Sequence, residues 1–558
     1  MVQLNRSMME RYEIADRRPQ TLRAVIFGAD RLMLGAVARM LDLANESGAD
    51  LGAVCVTGKA ASLNAQDGMF TMLIRGETLD GQATREERVV QSVLLAVDPR
   101  ADEKKYLALG LLPELEYLFV DAEADEGRSL LLAQLLYARF CGGMAAPELL
   151  LVTQFPRQQT PDELTDALCR LSAAWDDASD FCTWLHGMAA RTLFCDSLSG
   201  ELSPAETAQA QHQMNYRDDF LAWGEPQLAC MLDGAVPERL QAVCTGGDCA
   251  LALHRKARVF DAAVFLCTAA GYLCGKSSFA EVMKDEELRS WIGRAFFDEI
   301  LPSLRESREE IAPAVISTFE RLENPMNDMP LLDVGHDCML YFRDSILPSM
   351  RAYAEENFEA PAKLAFGLAA AIMLCAGARA NEAGAYEVLR GDERAVLHDD
   401  PEILAAFSQL SHDMPAETLA YAALADRSVW GDDLREIDGL EMRVAYDLSA
   451  IQRIGFRESL KHRLQEWNAR AQTTMPRLPT ESVSGAFCHA SLQRESLLSG
   501  ASAPGAATRA GAIPAILIHI LARAGQPVVL PPAAAAVSAI AAAAAPAAIL
   551  IRGAVRRS

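Results

Sequence analysis

A single lysine, Lys256, stands at the start of a long apolar stretch near the middle of this 558-residue chain. Read at about 100° per residue, the apolar residues between 259 and 273 cover nearly the whole circumference of a helix. We therefore expect this helix to be enclosed by others, with Lys256 at the edge of a core. A lysine in that position is most often a solvated or snorkelling side chain. The second interpretation is that its amine does chemistry.

Gly28 belongs to a second candidate, a turn that could approach a phosphate. Residues 22–27 form a short β-rich run that ends at Gly28, and residues 32–44 show helical periodicity. Strand, glycine turn and helix are the opening of a dinucleotide-binding unit. Asp30 adds a negative charge where the phosphates would lie, and Arg31 could pair with them. The alternative is an ordinary strand-to-helix turn in which Asp30 caps the helix.

The elements that must position these residues alternate between strands and helices in the first part of the chain. β-rich runs follow the first one at 52–57, 89–97, 115–120 and 149–153. This alternation predicts an α/β fold with a parallel, doubly wound sheet. Helical spacing dominates after residue 161. The predicted organisation is a Rossmann-like dinucleotide-binding domain, an all-α substrate domain and a low-complexity C-terminal tail, over residues 20–226, 227–470 and 471–558.

The tail is set apart by its composition. Residues 471–558 contain seven arginines, two glutamates, no lysine and no aspartate, and they are rich in small residues. Such a segment cannot bury enough apolar surface to offset the conformational entropy that it would lose on folding, so we expect disorder over 471–512. The uncharged run 527–551 superficially resembles a membrane span, but three prolines interrupt any helix, and a membrane partner is not expected. A tail foreign to the fold explains the change at least as well.

Charge and cysteine content exclude some classes of function. A net charge of −24 and a pI near 4.9 argue against a nucleic-acid partner. The 13 cysteines include no CxxC pair, and Cys244 and Cys249 lack the spacing of a zinc site. We expect no metal, free thiols and a reducing compartment. The charged N-terminus has no apolar segment of a secretion signal, so the predicted location is cytoplasmic.

The helix of Lys256 resembles the active-site helix of the mannitol dehydrogenase family, the polyol-specific long-chain dehydrogenases, which are zinc-independent NAD enzymes. The family motif is a lysine, four residues, an asparagine, two residues and a histidine, and its lysine is the general acid/base. In this chain Asp261 and Val264 stand at the second and third positions. An aspartate stabilises the ammonium form of a neighbouring lysine. A valine offers no donor, and losing one such donor typically costs about 2.7–4 kcal/mol of transition-state stabilisation.

Other blocks resemble the tagaturonate reductase (altronate oxidoreductase) branch of the same family, and together they cover roughly residues 20–464. The stretch 66–76, QDGMFTMLIRG, is similar to the QDGLYTxxIRG block of that branch. The stretch 341–348, YFRDSILP, is similar to its KFRTRILP block, with Tyr341 in place of a lysine of the substrate region. Residues 192–197 align with its serine-x-x-Asp-Arg-Ile element and keep Asp196.

The resemblance implies a function and a set of site residues. NAD would be bound by Gly28, Arg31 and Asp67, and a sugar acid by Asp196 and Arg343. Lys256, beside Asp261, would transfer the proton in a hydride exchange between NADH and a hexuronate keto group. The alternative is a catalytically impaired homologue retained as a binding or regulatory protein. The sequence leaves the oligomeric state open.

Overall fold

A computed structural model gives the architecture of the protein. It describes residues 1–474 except 10, 78–82, 124, 156–158, 305, 325–328, 383 and 391–392. The predictions for the tail, disorder and a possible span at 527–551, lie outside these residues. Within the described part of the chain, no helix is long and apolar enough to cross a membrane.

The strands of the N-terminal lobe form one large sheet and smaller sheets beside it. In chain order they are β1 (Val2–Gln3), β2 (Leu22–Phe27), β3 (Gly52–Val56), β4 (Phe70–Glu77), β5 (Ala83–Val90), β6 (Val93–Val97), β7 (Tyr117–Asp121), β8 (Glu148–Thr153), β9 (Ala190–Asp196), β10 (Ser199–Glu201), β11 (Tyr216–Arg217), β12 (Ala222–Gly224), β13 (Ala229–Asp233) and β14 (Cys244–Gly247).

The large sheet has the strand order β14-β13-β9-β8-β7-β2-β3-β6. Its neighbours pair in parallel except β13, which runs antiparallel to β9. The central strands are apolar runs because both faces of the sheet are covered. Ile26 and Leu150 face one core, while Val25 and Leu149 face the other. The predicted doubly wound α/β lobe is confirmed.

The helices of this lobe cover both faces of the sheet. They are α1 (Arg39–Glu46), α2 (Ala60–Ala65), α3 (Glu103–Ala108), α4 (Glu126–Cys141), α5 (Pro161–Leu171), α6 (Ala178–His186) and α7 (Pro204–Met214). A π-helical segment, Arg31–Ala38, leads directly into α1. Strands β10, β12, β4 and β5 form a separate four-stranded sheet beside the large one.

The C-terminal lobe is mainly helical. Its helices are α8 (Cys249–Lys256), α9 (Ala262–Leu273), α10 (Phe279–Lys284), α11 (Glu286–Ala295), α12 (Arg308–Glu323), α13 (Leu331–Val334), α14 (Cys338–Ser345), α15 (Leu347–Asn357), α16 (Ala362–Cys375), α17 (Pro401–Phe407), α18 (Ala416–Ala425), α19 (Arg427–Trp430), α20 (Leu440–Ile454) and α21 (Phe456–Thr474). Eleven of the 12 residues of α9 are buried, which agrees with the enclosed helix expected from its apolar circumference.

Three details differ from the expectations of the sequence. The large sheet continues through β13 and β14 to Gly247, beyond the boundary placed at residue 226. A small antiparallel sheet, β15 (Arg379–Ala380), β16 (Tyr386–Arg390) and β17 (Glu393–Leu397), is added to the helical lobe. The thiols were expected to be free, but Cys169 and Cys182 form a disulfide. The two cysteines are 13 residues apart in sequence and meet because α5 and α6 pack together.

A buried ion cluster joins the two lobes. Arg321, on α12, donates two hydrogen bonds to the Glu225 carboxylate, at 3.0 and 2.8 Å, and one to Asp196 at 3.0 Å. Glu225 is almost fully buried, and burial raises its pKa although Arg321 opposes the rise. Burial alone would lower the pKa of Arg321, but Glu225 and Asp196 raise it overall. The guanidinium is therefore the main group that opposes the loss of charge on the buried carboxylate.

Replacing Arg321 should destabilise the protein strongly. Arg321→Leu leaves the Glu225 carboxylate buried without its partner, and breaking a buried pair in this way costs about 3–5 kcal/mol. We expect a large fall in the urea midpoint of unfolding, measured by circular dichroism. The matched control is Arg427→Leu, which breaks an exposed pair with Glu436 and should change stability by less than about 1 kcal/mol. Equal effects of the two variants would contradict the prediction.

Candidate active site

A cavity of about 1180 Å³ opens at the carboxyl ends of β2 and β3 in the N-terminal lobe. The Gly28 turn, the segment after β3 and the start of α4 line it. Clefts at this edge of an open parallel sheet are where such folds bind ligands. Four cationic side chains line the cavity, namely Arg31, Lys59, Arg100 and Arg128. Six carboxylates share the lining, namely Asp30, Asp98, Asp125, Glu201, Asp218 and Asp219.

Gly28 is required by the geometry of the turn. Its φ is +123°, a backbone conformation that L side chains rarely adopt. A Cβ added there would lie 2.7 Å from Asp30 Oδ2. The Gly28 N–H donates to the Val56 carbonyl at 3.0 Å, so the turn is fixed against the end of β3. The glycine predicted from the sequence therefore forms the floor of the cavity.

Asp30 caps the helix that follows the turn. Its Oδ1 accepts a hydrogen bond from the Met33 N–H at 3.0 Å, as the N-cap interpretation of the sequence predicted. Its Oδ2 is buried and has no hydrogen-bond partner among the described residues, although the Arg128 guanidinium lies 3.8 Å away. The carboxylate thus occupies the helix end that would otherwise offer free N–H groups to an anion.

The shape of this region fits a dinucleotide. The glycine floor lets a ligand approach the backbone closely, the cavity is large enough, and Arg31 and Arg128 stand beside the helix start. The Asp30 carboxylate, at that helix start, would repel the phosphates. Arg31 is exposed at the cavity, as the sequence suggested, whereas Asp67 is not among the described lining residues. The Asp67 carboxylate instead accepts a hydrogen bond from the Arg6 N–H at 2.8 Å.

Lys256 and Asp261 form the centre of a second region, between the two lobes. Lys256 Nζ donates to Asp261 Oδ1 at 2.6 Å, and the two side chains are only 9% and 12% exposed. The segment Ala257–Asp261 is π-helical and links α8 to α9 in one continuous helix. A π-turn closes hydrogen bonds between residues five apart. It therefore brings Lys256 and Asp261, also five apart, onto one face.

The surroundings of the pair are aromatic and apolar. Lys256 Nζ lies 4.8 Å from the centre of the Phe155 ring and 5.2 Å from that of Phe260. Phe155 follows the carboxyl end of β8, so the ammonium faces the N-terminal sheet instead of bulk water. Burial raises the pKa of Asp261, and Lys256 opposes the rise. Asp261 Oδ2 is buried and has no hydrogen-bond partner among the described residues.

Tyr341 connects the lobes beside this pair. Its hydroxyl donates to Glu123 Oε1 at 2.9 Å, just after β7. Its ring stacks on Phe155 with a centroid distance of 4.4 Å and an interplanar angle of 3°. Burial, followed by Glu123, raises the pKa of Tyr341. The stacked rings stand at the carboxyl ends of β7 and β8, next to Lys256.

The remaining predicted site residues lie beside the Lys256–Asp261 pair or on elements that pack against it. Asp196 shares Arg321 with Glu225 and acts electrostatically on Asp261. Arg343 lies on α14, which packs on the π-turn, and its side chain is in close contact with Gly431. Val264 is buried in the helical core. Phe155 and the Tyr341–Glu123 hydrogen bond were missed by the sequence analysis, because contacts across lobes leave no local pattern.

Residues 253–452 match the family described as the mannitol dehydrogenase C-terminal domain. The chain is 27% identical over 478 residues to altronate oxidoreductase of Pectobacterium atrosepticum, covering 79% of this chain and 96% of that protein. It is 25% identical over 480 residues to altronate oxidoreductase of Halalkalibacterium halodurans, covering 78% and 92%. These matches extend over both lobes.

Solved structures share the fold. A mannitol 2-dehydrogenase from Pseudomonas fluorescens, solved as a ternary complex with NAD and D-mannitol, superposes with a TM-score of 0.65. The identity is 15%, and the match covers 83% of this chain and 100% of that one. A D-sorbitol dehydrogenase in substrate-free form gives a TM-score of 0.60 at 15% identity, covering 82% and 100%.

The Asp30 carboxylate should weaken dinucleotide binding. Asp30→Asn keeps an oxygen for the Met33 N–H and removes the negative charge, so we expect NADH to bind at least about tenfold more tightly. Binding is measured by quenching of intrinsic fluorescence in a titration with NADH. The matched control is Asp102→Asn, which changes the N-cap of α3 away from the cavity lining and should leave the affinity unchanged. Unaltered affinity in both variants would show that Asp30 does not face the phosphates.

Proposed function

Because this chain belongs to the mannitol dehydrogenase family, we propose that it is an NAD-dependent oxidoreductase acting on a sugar acid of the altronate type. Lys256 is proposed to transfer the proton, and the observation that carries the proposal is its position. The ammonium is buried between the lobes, 4.8 Å from the ring that follows β8. A general acid has to lie within hydrogen-bond distance of the carbonyl oxygen that it protonates. A position between the lobes also shields that contact from bulk water.

The relative positions of the two regions support this assignment. Strand β7 separates β2, which ends at Gly28, from β8, which ends before Phe155. Two strand spacings amount to roughly 10 Å. A dinucleotide with its phosphates at Gly28 could therefore extend along the strand ends toward Lys256. Bound NAD would supply or accept the hydride. Gly28, Arg31 and Arg128 would hold the cofactor.

The chain's own residues would position the substrate as follows. Lys256 Nζ would donate its proton to the keto oxygen when a sugar acid is reduced. The buried Oδ2 of Asp261 would accept a hydrogen bond from a neighbouring hydroxyl, since Oδ1 is engaged by Lys256. Asp196 would accept from another hydroxyl with the oxygen that Arg321 leaves free. Arg343 remains our candidate for the substrate carboxylate, on the strength of its place on α14 against the π-turn.

A second candidate function is a binding or regulatory homologue with little turnover. The observation that favours it is that the polar groups of the site are bonded to one another. Asp261 holds the Lys256 ammonium at 2.6 Å. The Phe155–Tyr341 stack stands beside it, and Tyr341 replaces a lysine expected in the substrate region. In this case the protein would bind NADH or a sugar acid without transferring a hydride between them.

An assay of the purified full-length chain with tagaturonate and NADH separates the candidates. Oxidation of NADH, followed by its absorbance, is expected, and Lys256→Ala should lower kcat at least about 100-fold, the usual worth of a general acid. The control is Lys284→Ala, an exposed lysine on α10, which should be as active as the parent. Binding of NADH without turnover would favour the second candidate. Full activity of Lys256→Ala would refute the role of the lysine.

Restoring the family motif should raise activity. Asp261→Asn removes the charge that holds the Lys256 ammonium, and Val264→His supplies a donor worth about 2.7–4 kcal/mol in a transition state. We expect the double variant to exceed the parent in kcat/KM by at least about tenfold at neutral pH. The comparison is made with each single variant and with the double variant carrying Lys256→Ala. No gain over the parent would mean that other groups limit the reaction.

A further inference from the structure

Two helices on the surface of the N-terminal lobe bring together side chains that the proposed reaction does not use. Cys169 lies on α5, and Cys182 and His186 lie on α6. The ligand atoms of these three residues all lie within 4.8 Å of one another. Asp166, also on α5, places Oδ1 3.8 Å from His186 Nε2. The cluster thus holds two sulfurs and an imidazole, with a carboxylate beside the imidazole.

The spacing of these residues makes each helix contribute two groups to one side. Asp166 and Cys169 are three residues apart on α5, and Cys182 and His186 are four apart on α6. Residues three or four apart are neighbours on a helix surface. Because α5 and α6 pack against each other, the two pairs face one another. None of the four residues lines the Gly28 cavity among its described lining residues.

One distance in the cluster, between a sulfur and the imidazole nitrogen, is already close to that of a tetrahedral zinc site. Zn–S bonds of about 2.3 Å and Zn–N bonds of about 2.0–2.1 Å place the sulfur and nitrogen ligands roughly 3.5–3.6 Å apart. Cys169 Sγ lies 3.8 Å from His186 Nε2. The two sulfurs are too close to each other for such a site, because they are joined in a disulfide. Once separated, they would need to move to about 3.8 Å from each other.

We propose that this cluster is a redox-controlled Zn²⁺ site, closed by the Cys169–Cys182 disulfide and opened by its reduction. A dithiol reductant supplies two electrons and two protons, which cleave the S–S bond and leave two thiols. Zn²⁺ then binds both sulfurs as thiolates and releases two protons. His186 binds through Nε2, and the Asp166 carboxylate, which lies beside His186, turns toward the metal to take the fourth position. Reoxidation of the thiolates by an external disulfide restores the S–S bond and expels the metal.

The burial of the four groups is suited to such an exchange. Cys169 and Cys182 are partly buried, which limits chance oxidation, whereas the side chains of His186 and Asp166 are 53% and 60% exposed. A metal ion and a small reductant can therefore reach the cluster from solvent. Carboxylate, imidazole and two thiolates are ligands that Zn²⁺ accepts in tetrahedral sites. In either redox state α5 stays tied to α6, once by a covalent bond and once by the metal.

The test uses the full-length protein reduced with a phosphine, which does not compete for metal as dithiols do. Co²⁺ serves as the probe, because tetrahedral thiolate-bound cobalt absorbs in the visible and shows a sulfur-to-metal band in the near ultraviolet. We expect one Co²⁺ per chain with both features, displaced by Zn²⁺. The oxidised protein should bind no cobalt in this form. Absence of the thiolate band in the reduced protein would overturn the proposal.

Variants assign the metal to this cluster. Cys182→Ser should abolish the thiolate bands or weaken binding at least about 100-fold, and His186→Ala should weaken it at least about tenfold. The matched controls are Cys141→Ser, an exposed free thiol, and His212→Ala, an exposed histidine on α7, which should bind as the parent does. Zn²⁺ should also slow alkylation of Cys169 and Cys182, followed by mass spectrometry. Binding that survives both Cys182→Ser and His186→Ala refutes the assignment.

Discussion

The ion pair between Lys256 and Asp261 is the interaction on which the interlobe region depends. Each partner is removed from water, and neither charge would be tolerated there without the other. The π-turn is what makes the pair possible, because an α-helix would point residues five apart in different directions. The helix that carries them is then fixed in rotation by its apolar circumference within the core. The position of the ammonium is thus set by packing as well as by charge.

Carboxylates occupy three positions around the predicted ligand sites, and each has an internal partner. Asp30 caps the first helix, Glu123 accepts from Tyr341, and Asp261 accepts from Lys256. The Lys256–Asp261 pair and the ion cluster at the lobe junction together hold two cations, Lys256 and Arg321, and three anions, Asp261, Asp196 and Glu225. An acidic substrate of the kind proposed would therefore approach a region whose formal charge is negative overall. The carboxylate of that substrate would need a cation from outside this group, which is the reason for proposing Arg343.

Much of the architecture could be predicted from the sequence, because its strands, turns and helices follow from local sequence patterns. Apolar runs such as 22–27 and 149–153 identified the central strands, and Gly28 identified the turn with a positive φ. The π-turn at Ala257–Asp261 could not be predicted, since a period of 3.6 residues is assumed in reading helices. Strands β13 and β14 were missed because they join the sheet from beyond the expected boundary. The Cys169–Cys182 bond and the Tyr341–Glu123 contact depend on packing between elements.

The π-turn has a consequence for how this helix tolerates change. A π-turn is equivalent to one extra residue inserted into an α-helix, so everything after Asp261 is out of phase with α8 by about 100°. Deleting a single residue between Lys256 and Asp261 would restore regular winding and rotate the whole of α9 within its packed surroundings. Eleven buried residues would then face the wrong neighbours. Substituting side chains along this segment should therefore disturb the packing of the helix far less than changing its length.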